Sequence, residues 1–320
     1  MLIVYRKLII ENLCQPFTVG FFIEQNWTIH KSAMPENKIK VIYIASNAHA
    51  GSSITDIVLG QSENLVSFGQ VCDVLFRSEA HANEIVTNFW RKVFEDKDYD
   101  NSKKSKDNAV QLYHEKALLK AMFNTNWSNK HLEIYENLYS LMFKYSNEYG
   151  KVIVDSSKNT SHAIALSRSD KYDVHYIHLI KTPESFIDSI NKRRLEFNKK
   201  PIVFISYLRW SIKAFLNNVI LKYYVKNYIK IKYVDISNFS ESGSIDNIEK
   251  FIGEDLSETR NVLNGKQMEK YHYALSGNRI VDKQNQIFKP YGNKQAKYGK
   301  LQLFLINLLT KNPITRWLYN

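Results

Sequence analysis

The sequence predicts an α/β fold: a three-layer sandwich with a mostly parallel central sheet and a P-loop-like phosphate-binding turn. Three observations point there. Five short runs rich in β-branched and aromatic residues alternate with segments of helical periodicity. The strand runs are nearly continuous in apolar residues, as expected of a parallel sheet covered on both faces. The first run breaks abruptly into small polar residues before a helical pattern resumes, in "KVIYIASNAHAGSSITDIVLG", Lys40–Gly60.

Residues 1–39 read as an N-terminal extension. They are apolar in patches but carry Arg6, Lys7, Glu11 and Glu24, and lack the continuous apolar region of a signal peptide. The predicted strands are Val41–Ala45, Leu65–Phe68, Val152–Asp155, Val174–Ile180 and Ile229–Val234. Helical spacing covers Ile54–Leu59, Ala80–Phe94, Lys130–Tyr149, Ser185–Leu195 and Phe204–Tyr224. The stretch Ser206–Tyr228 reads as one long structural helix ahead of the last strand. Residues 95–108, "EDKDYDNSKKSKDN", are polar and charge-mixed, an exposed loop outside the core. The α/β domain thus runs over 40–282, and 283–320 form a tail ending in a helix. That helix, Leu301–Leu309, suits a core or surface-docking role, with interfacial membrane contact as the lesser option.

The 320 residues are 44% hydrophobic, enough for a sizeable core. Forty-four Lys and Arg against 32 Asp and Glu give a net charge of +12, which suits anionic ligands. No compact array of basic and aromatic residues marks a nucleic-acid module, so nucleic acid is not the expected partner. Cys14 and Cys72 form neither a metal pair nor a disulfide framework, and a reducing cytoplasm is the expected compartment. No apolar run reaches the roughly 20 residues that span a bilayer.

The turn after the first strand carries the chemistry. Gly51 removes a Cβ where backbone must approach a ligand, and Ser52 and Ser53 supply donors at a helix N-terminus, where free N–H groups and the helix dipole favour anions. The alternative is that the two serines simply cap the helix. A magnesium-triphosphate loop would read GxxxxGK[ST], but here Ser52 follows Gly51 where that loop carries its lysine, so the group that reaches the outer phosphates is missing. Two further strand ends bring lysines to the same edge: Lys158 in "VDSSKN" and Lys181 in "IHLIKTPESFIDS". Ser189, eight residues beyond Lys181 on the second turn of the next helix, can meet it on one phosphate.

Taken in order, "ASNAHAGSSITDIVLG", "SFGQV", "VDSSKN", "IHLIKTPESFIDS" and "ALSGNRI" resemble the motifs of sulfotransferases that use 3′-phosphoadenosine 5′-phosphosulfate (PAPS). The resemblance spans about Lys40 to Ile280. It implies that His49, Ala50, Gly51, Ser52 and Ser53 wrap the 5′-phosphosulfate. Lys181 and Ser189 would take the 3′-phosphate, and Gly277, Asn278 and Arg279 would lie near the nucleotide. His49 and Lys158 would be the catalytic cations. The activity implied is sulfuryl transfer from PAPS, leaving PAP, to a hydroxyl of a sugar, glycolipid, polysaccharide or small metabolite. No metal is expected, and peripheral membrane contact is not predicted.

The chain departs from that pattern at several places. His49 stands where Arg or Lys is usual, Ala50 where Ser is usual, and Lys181 where Arg is usual. A histidine serves as the cation only if the bound anion keeps it protonated. Gln70 replaces a glutamate that acts as base in parts of the family, and an amide accepts no proton at neutral pH. Asp73, His81 and Glu84, just downstream, are the substitute candidates. Two other readings stand beside transfer: a PAP- or PAPS-binding relative without catalysis, and an atypical P-loop kinase.

Overall fold

The computed structural model describes residues 38–47, 50–74, 84–97, 121–148, 151–225, 227–232, 243–269, 272–274 and 298–319. Five strands form one sheet: β1 (Ile39–Ser46), β2 (Leu65–Gly69), β3 (Val152–Asp155), β4 (Tyr172–Ile180) and β5 (Tyr228–Lys232). Their spatial order is β2-β3-β1-β4-β5, and each neighbouring pair is parallel. The predicted sandwich is therefore what the chain forms, with every predicted strand present to within a few residues.

Alternation along the strands explains the layers. Val41, Tyr43 and Ala45 of β1 join Val66, Phe68 and Ile153 on one face. There they pack under α3 (Glu84–Glu95), α4 (Thr125–Ser146) and α5 (Thr160–Ser167). Ile42 and Ile44 point the other way, with Val154, Ile177 and Leu179. That face lies under α1 (Ser52–Leu59), through Leu59, and α8 (Ser244–Ile252), with Leu256 ahead of the short α9 (Ser257–Leu263). A period-2 side-chain pattern with both faces apolar gives the continuous hydrophobic runs seen in the sequence. Between β2 and α3 lies the single turn α2 (Val71–Val74).

A third cluster sits beyond the end of β4. Ile180 packs with Phe186 of α6 (Pro183–Glu196), with Trp210 and Ala214 of α7 (Val203–Ile220), and with Leu318 of the C-terminal α11 (Pro313–Tyr319). One expectation needs correction here. The Ser206–Tyr228 segment is not one helix: α7 passes at Leu221 into a π-helical turn, Leu221–Val225, and Tyr228 already begins β5. Of the two roles expected for Leu301–Leu309, the surface one fits α10 (Lys300–Thr310), which buries only Thr310. Pro313 at the start of α11 separates the two terminal helices, as a proline that cannot continue a helix does.

Candidate functional site

All five strands are parallel, so their carboxyl ends share one edge, where ligands of open α/β sheets sit. Register fixes who meets there. Ser46 of β1 pairs with Leu179 of β4, and Tyr43 pairs with Asp155 of β3. Continuing each strand brings the β1–α1 turn level with Lys181 on one side and the Asp155–Lys158 segment on the other.

The turn is built by Gly51, whose φ of 86° lies in the left-handed region that glycine enters at no cost. This conformation aims the start of α1 at the sheet edge. Neither Ser52 nor Ser53 caps the helix, since no side chain caps α1. Ala50, fully buried, donates its backbone N–H to the carbonyl of Asn47 at 3.2 Å. Asn47 is 2% exposed, yet among the described residues neither its amide nitrogen nor its amide oxygen has a partner. The buried hydroxyl of Ser52 is also unpartnered. Buried polar groups are nearly always satisfied, so these two unpartnered side chains beside the start of α1 make the turn a candidate place for a polar ligand. The Ser53 hydroxyl instead accepts from Gln70 Nε2 at 3.4 Å.

The β3 end is held rigidly. Asp155, fully buried, accepts from the Ser157 N–H at 2.7 Å, the Ser157 hydroxyl, and Tyr139 Oη at 2.8 Å. Ser157 Oγ in turn accepts from the Cys72 N–H, joining β3 to α2. Ser156 donates to Asp56 on α1 at 2.8 Å. Burial raises the Asp56 carboxyl to about 7, although the serines bonded to it pull the other way. Lys158, next along, adopts a φ of 60°, strained for a residue with a Cβ.

On the other side, Lys181 is 9% exposed and donates from Nζ to Ser189 Oγ at 2.7 Å, while Ser189 donates to Ser185 O. The segment owes its place to local sequence: Thr182 caps α6 by accepting from Ser185 N, Pro183 occupies the first turn, and Trp210 Nε1 donates to Lys181 O at 2.9 Å. Burial lowers the Lys181 ammonium to about 8, with Asp188 raising it and Lys192 lowering it further. Lys181 and Ser189, expected to converge on one phosphate, are hydrogen-bonded directly to each other.

Sequence reasoning missed a third lysine. Lys213, on α7, donates to Thr160 Oγ1 at 2.7 Å and to the Lys158 carbonyl at 3.5 Å, and burial lowers it to about 8. The available signal was its position: Val203, Ser206, Trp210, Ala214 and Asn217 form the buried stripe of α7, and Lys213 falls beside it. Asn47 and Asp56, both buried, were not singled out from the sequence either. His49, His81, Gly277, Asn278 and Arg279 lie outside the described residues, as does the Asp73 side chain, and 98–108 of the charged loop. Glu84 opens α3 with its side chain exposed. Among the described residues no group of His, Cys, Asp and Glu forms a metal cluster, and no helix is long and apolar enough to cross a membrane.

Fold and edge together define a parallel α/β protein with a cationic rim around the first β–α turn. No protein-family model and no curated protein matches the sequence. Among solved structures, the sulfotransferase domain of the Synechococcus PCC 7002 olefin synthase is similar at 14% identity and a TM-score of 0.46, covering 90% of this chain and 98% of that one. The sulfotransferase domain of the curacin biosynthetic pathway is similar at 14% identity and a TM-score of 0.46, covering 85% and 98%. Likeness at this level concerns the course of the chain.

Proposed function

We propose that the chain transfers a sulfuryl group from PAPS to a hydroxyl of a sugar, glycolipid, polysaccharide or small metabolite. The observation that carries the reading is the buried, unpartnered Asn47 amide and Ser52 hydroxyl at the start of α1, one strand away from the bonded Lys181–Ser189 pair. Two separate anion-receptive places at one sheet edge suit a ligand with phosphate groups at two positions better than a single triphosphate chain.

When bound, PAPS supplies an activated sulfuryl group. The N–H groups opening α1 and the Ser52 hydroxyl hold its 5′ side, and Asn47 satisfies its amide on the same group. Lys181 and Ser189 take the 3′-phosphate, each giving up part of its present bond to the other. Lys158 neutralises charge that builds on the transferring oxygens, and Lys213 holds Lys158 and Thr160 in position. His49 and Gly277, Asn278 and Arg279 belong to this assignment through the sequence motifs. Gln70 orients Ser53 and takes no proton.

Incubation with PAPS and a panel of hydroxyl acceptors tests the proposal. The expected result is acceptor-dependent release of PAP that Lys158→Met lowers by about a hundredfold, the scale of removing one donor from a preorganised site. A second reading, nucleotide binding without transfer, is favoured by the amide at Gln70. Tight PAP binding with no transfer to any acceptor supports that second reading and refutes the first.

A further inference from the structure

We infer that the layer formed by α7, α10 and α11 is a docking surface for an anionic lipid membrane. α10 and α11 pack on α7, yet their outward residues are large and apolar: Phe304 is 62% exposed, Leu308 60% and Trp317 62%. On α7, Phe204, Leu208 and Phe215 fall on one outward stripe at helical spacing, and the Phe215 and Trp317 rings lie 6.3 Å apart, which joins the two exposed faces. A monomer seldom leaves an apolar patch of this extent uncovered unless something binds it.

Charge identifies the occupant. Residues 201–234 carry six Lys or Arg and no Asp or Glu, and residues 283–320 carry seven and none. The exposed apolar helices therefore hold Arg209, Lys311 and Arg316, all exposed, with no carboxylate side chain of their own. A second copy of the chain in a two-fold pairing would set one cationic face against another, which repels. An anionic bilayer satisfies both properties: acyl chains cover Phe304 and Trp317, and headgroups meet the cations, the pattern of an interfacial amphipathic helix. Tryptophan at the membrane–water boundary is favoured for its apolar body and polar N–H.

The inference stands apart from the proposed reaction, because none of the exposed residues it rests on belongs to the phosphate-binding edge. The test is co-sedimentation of the full chain with sucrose-loaded vesicles of phosphatidylcholine, with and without about 30 mol % phosphatidylserine. Binding is expected to the anionic vesicles, weakened by salt as the Debye length shrinks. Phe304→Ser with Trp317→Ser, and separately Lys311→Glu with Arg316→Glu, should each lower partitioning by at least about fivefold. Both variants alter exposed side chains, and an unchanged melting temperature checks that they fold. Absence of binding to anionic vesicles overturns the inference. So does binding that survives both double variants, or a dimer in sedimentation velocity that the Phe304→Ser, Trp317→Ser variant dissolves.

Discussion

Lys181 makes ligand affinity depend on pH in a direction that can be worked out beforehand. Its ammonium titrates at about 8 in the free protein, because burial disfavours the charged form. A phosphate anion needs that charge, and binding draws a proton back onto the lysine wherever it has been lost. The protonated fraction falls from about nine-tenths at pH 7 to about one-tenth at pH 9, so PAP affinity should drop about tenfold between those values, or roughly 1.4 kcal/mol. Phosphate itself finishes ionising near pH 6, below this window. Isothermal titration across pH 7 to 9 reads the slope. Lys181→Arg stays charged throughout and should flatten it, while Lys181→Gln should weaken binding about tenfold or more at pH 7. Lys213 also titrates at about 8, but its Nζ is engaged with Thr160, so Lys213→Met should leave the slope in place. A PAP affinity that ignores pH, or a slope that survives Lys181→Arg, refutes the role given to this lysine.

Further outcomes follow from buried groups nearby. Asp56 rises from 3.8 to about 7 on folding. Between those values only the folded state holds the proton, so stability should fall as pH rises from about 4 to about 7 and then level off. The total is up to about 4 kcal/mol at 1.36 kcal/mol per pKa unit. Asp56→Asn should abolish that dependence and make the protein more stable than the parent at pH 8, as read from urea midpoints; an unchanged pH dependence would contradict the assignment. Gly69 has a φ of 74°, and a Cβ there would meet Ala274 Cβ at 2.5 Å. Gly69→Ala should therefore cost about 3 kcal/mol, a strained backbone added to overpacking, and a loss under about 1 kcal/mol in chemical denaturation would show the contact to be soft.

Much of this was legible in the sequence, for identifiable reasons. The strands announce themselves because both faces of a parallel sheet are covered, which forces β-branched and aromatic residues at consecutive positions, as in Val41–Ala45. That Lys181 and Ser189 stand near each other was readable from spacing, since Thr182 and Pro183 fix where α6 starts and so which residue stands on its second turn. The helices α8 and α9 went unread, as did the break of α7 into a π turn, which is a departure from helical period. Asp56 and Asn47 were invisible for a different reason. Neither burial shows in the local sequence: Ser156, one hundred residues on, is what closes over Asp56. A polar residue in a turn looks solvated until the partner segment is known. Lys213 reached the edge from a helix whose apolar stripe dominates its sequence, so its contribution depends on α7 packing against α5.

The central claim is that the first β–α turn and the Lys181–Ser189 pair together recognise a nucleotide phosphorylated at two separate positions. Thermal unfolding with PAP, ATP and AMP side by side tests it most directly, since at equal concentration a ligand that binds the folded state more tightly raises the midpoint further, with the logarithm of its affinity. The account predicts a rise with PAP that exceeds those with ATP and AMP and shrinks in Lys181→Gln. A rise with ATP greater than with PAP, or no rise with any of the three, would contradict it.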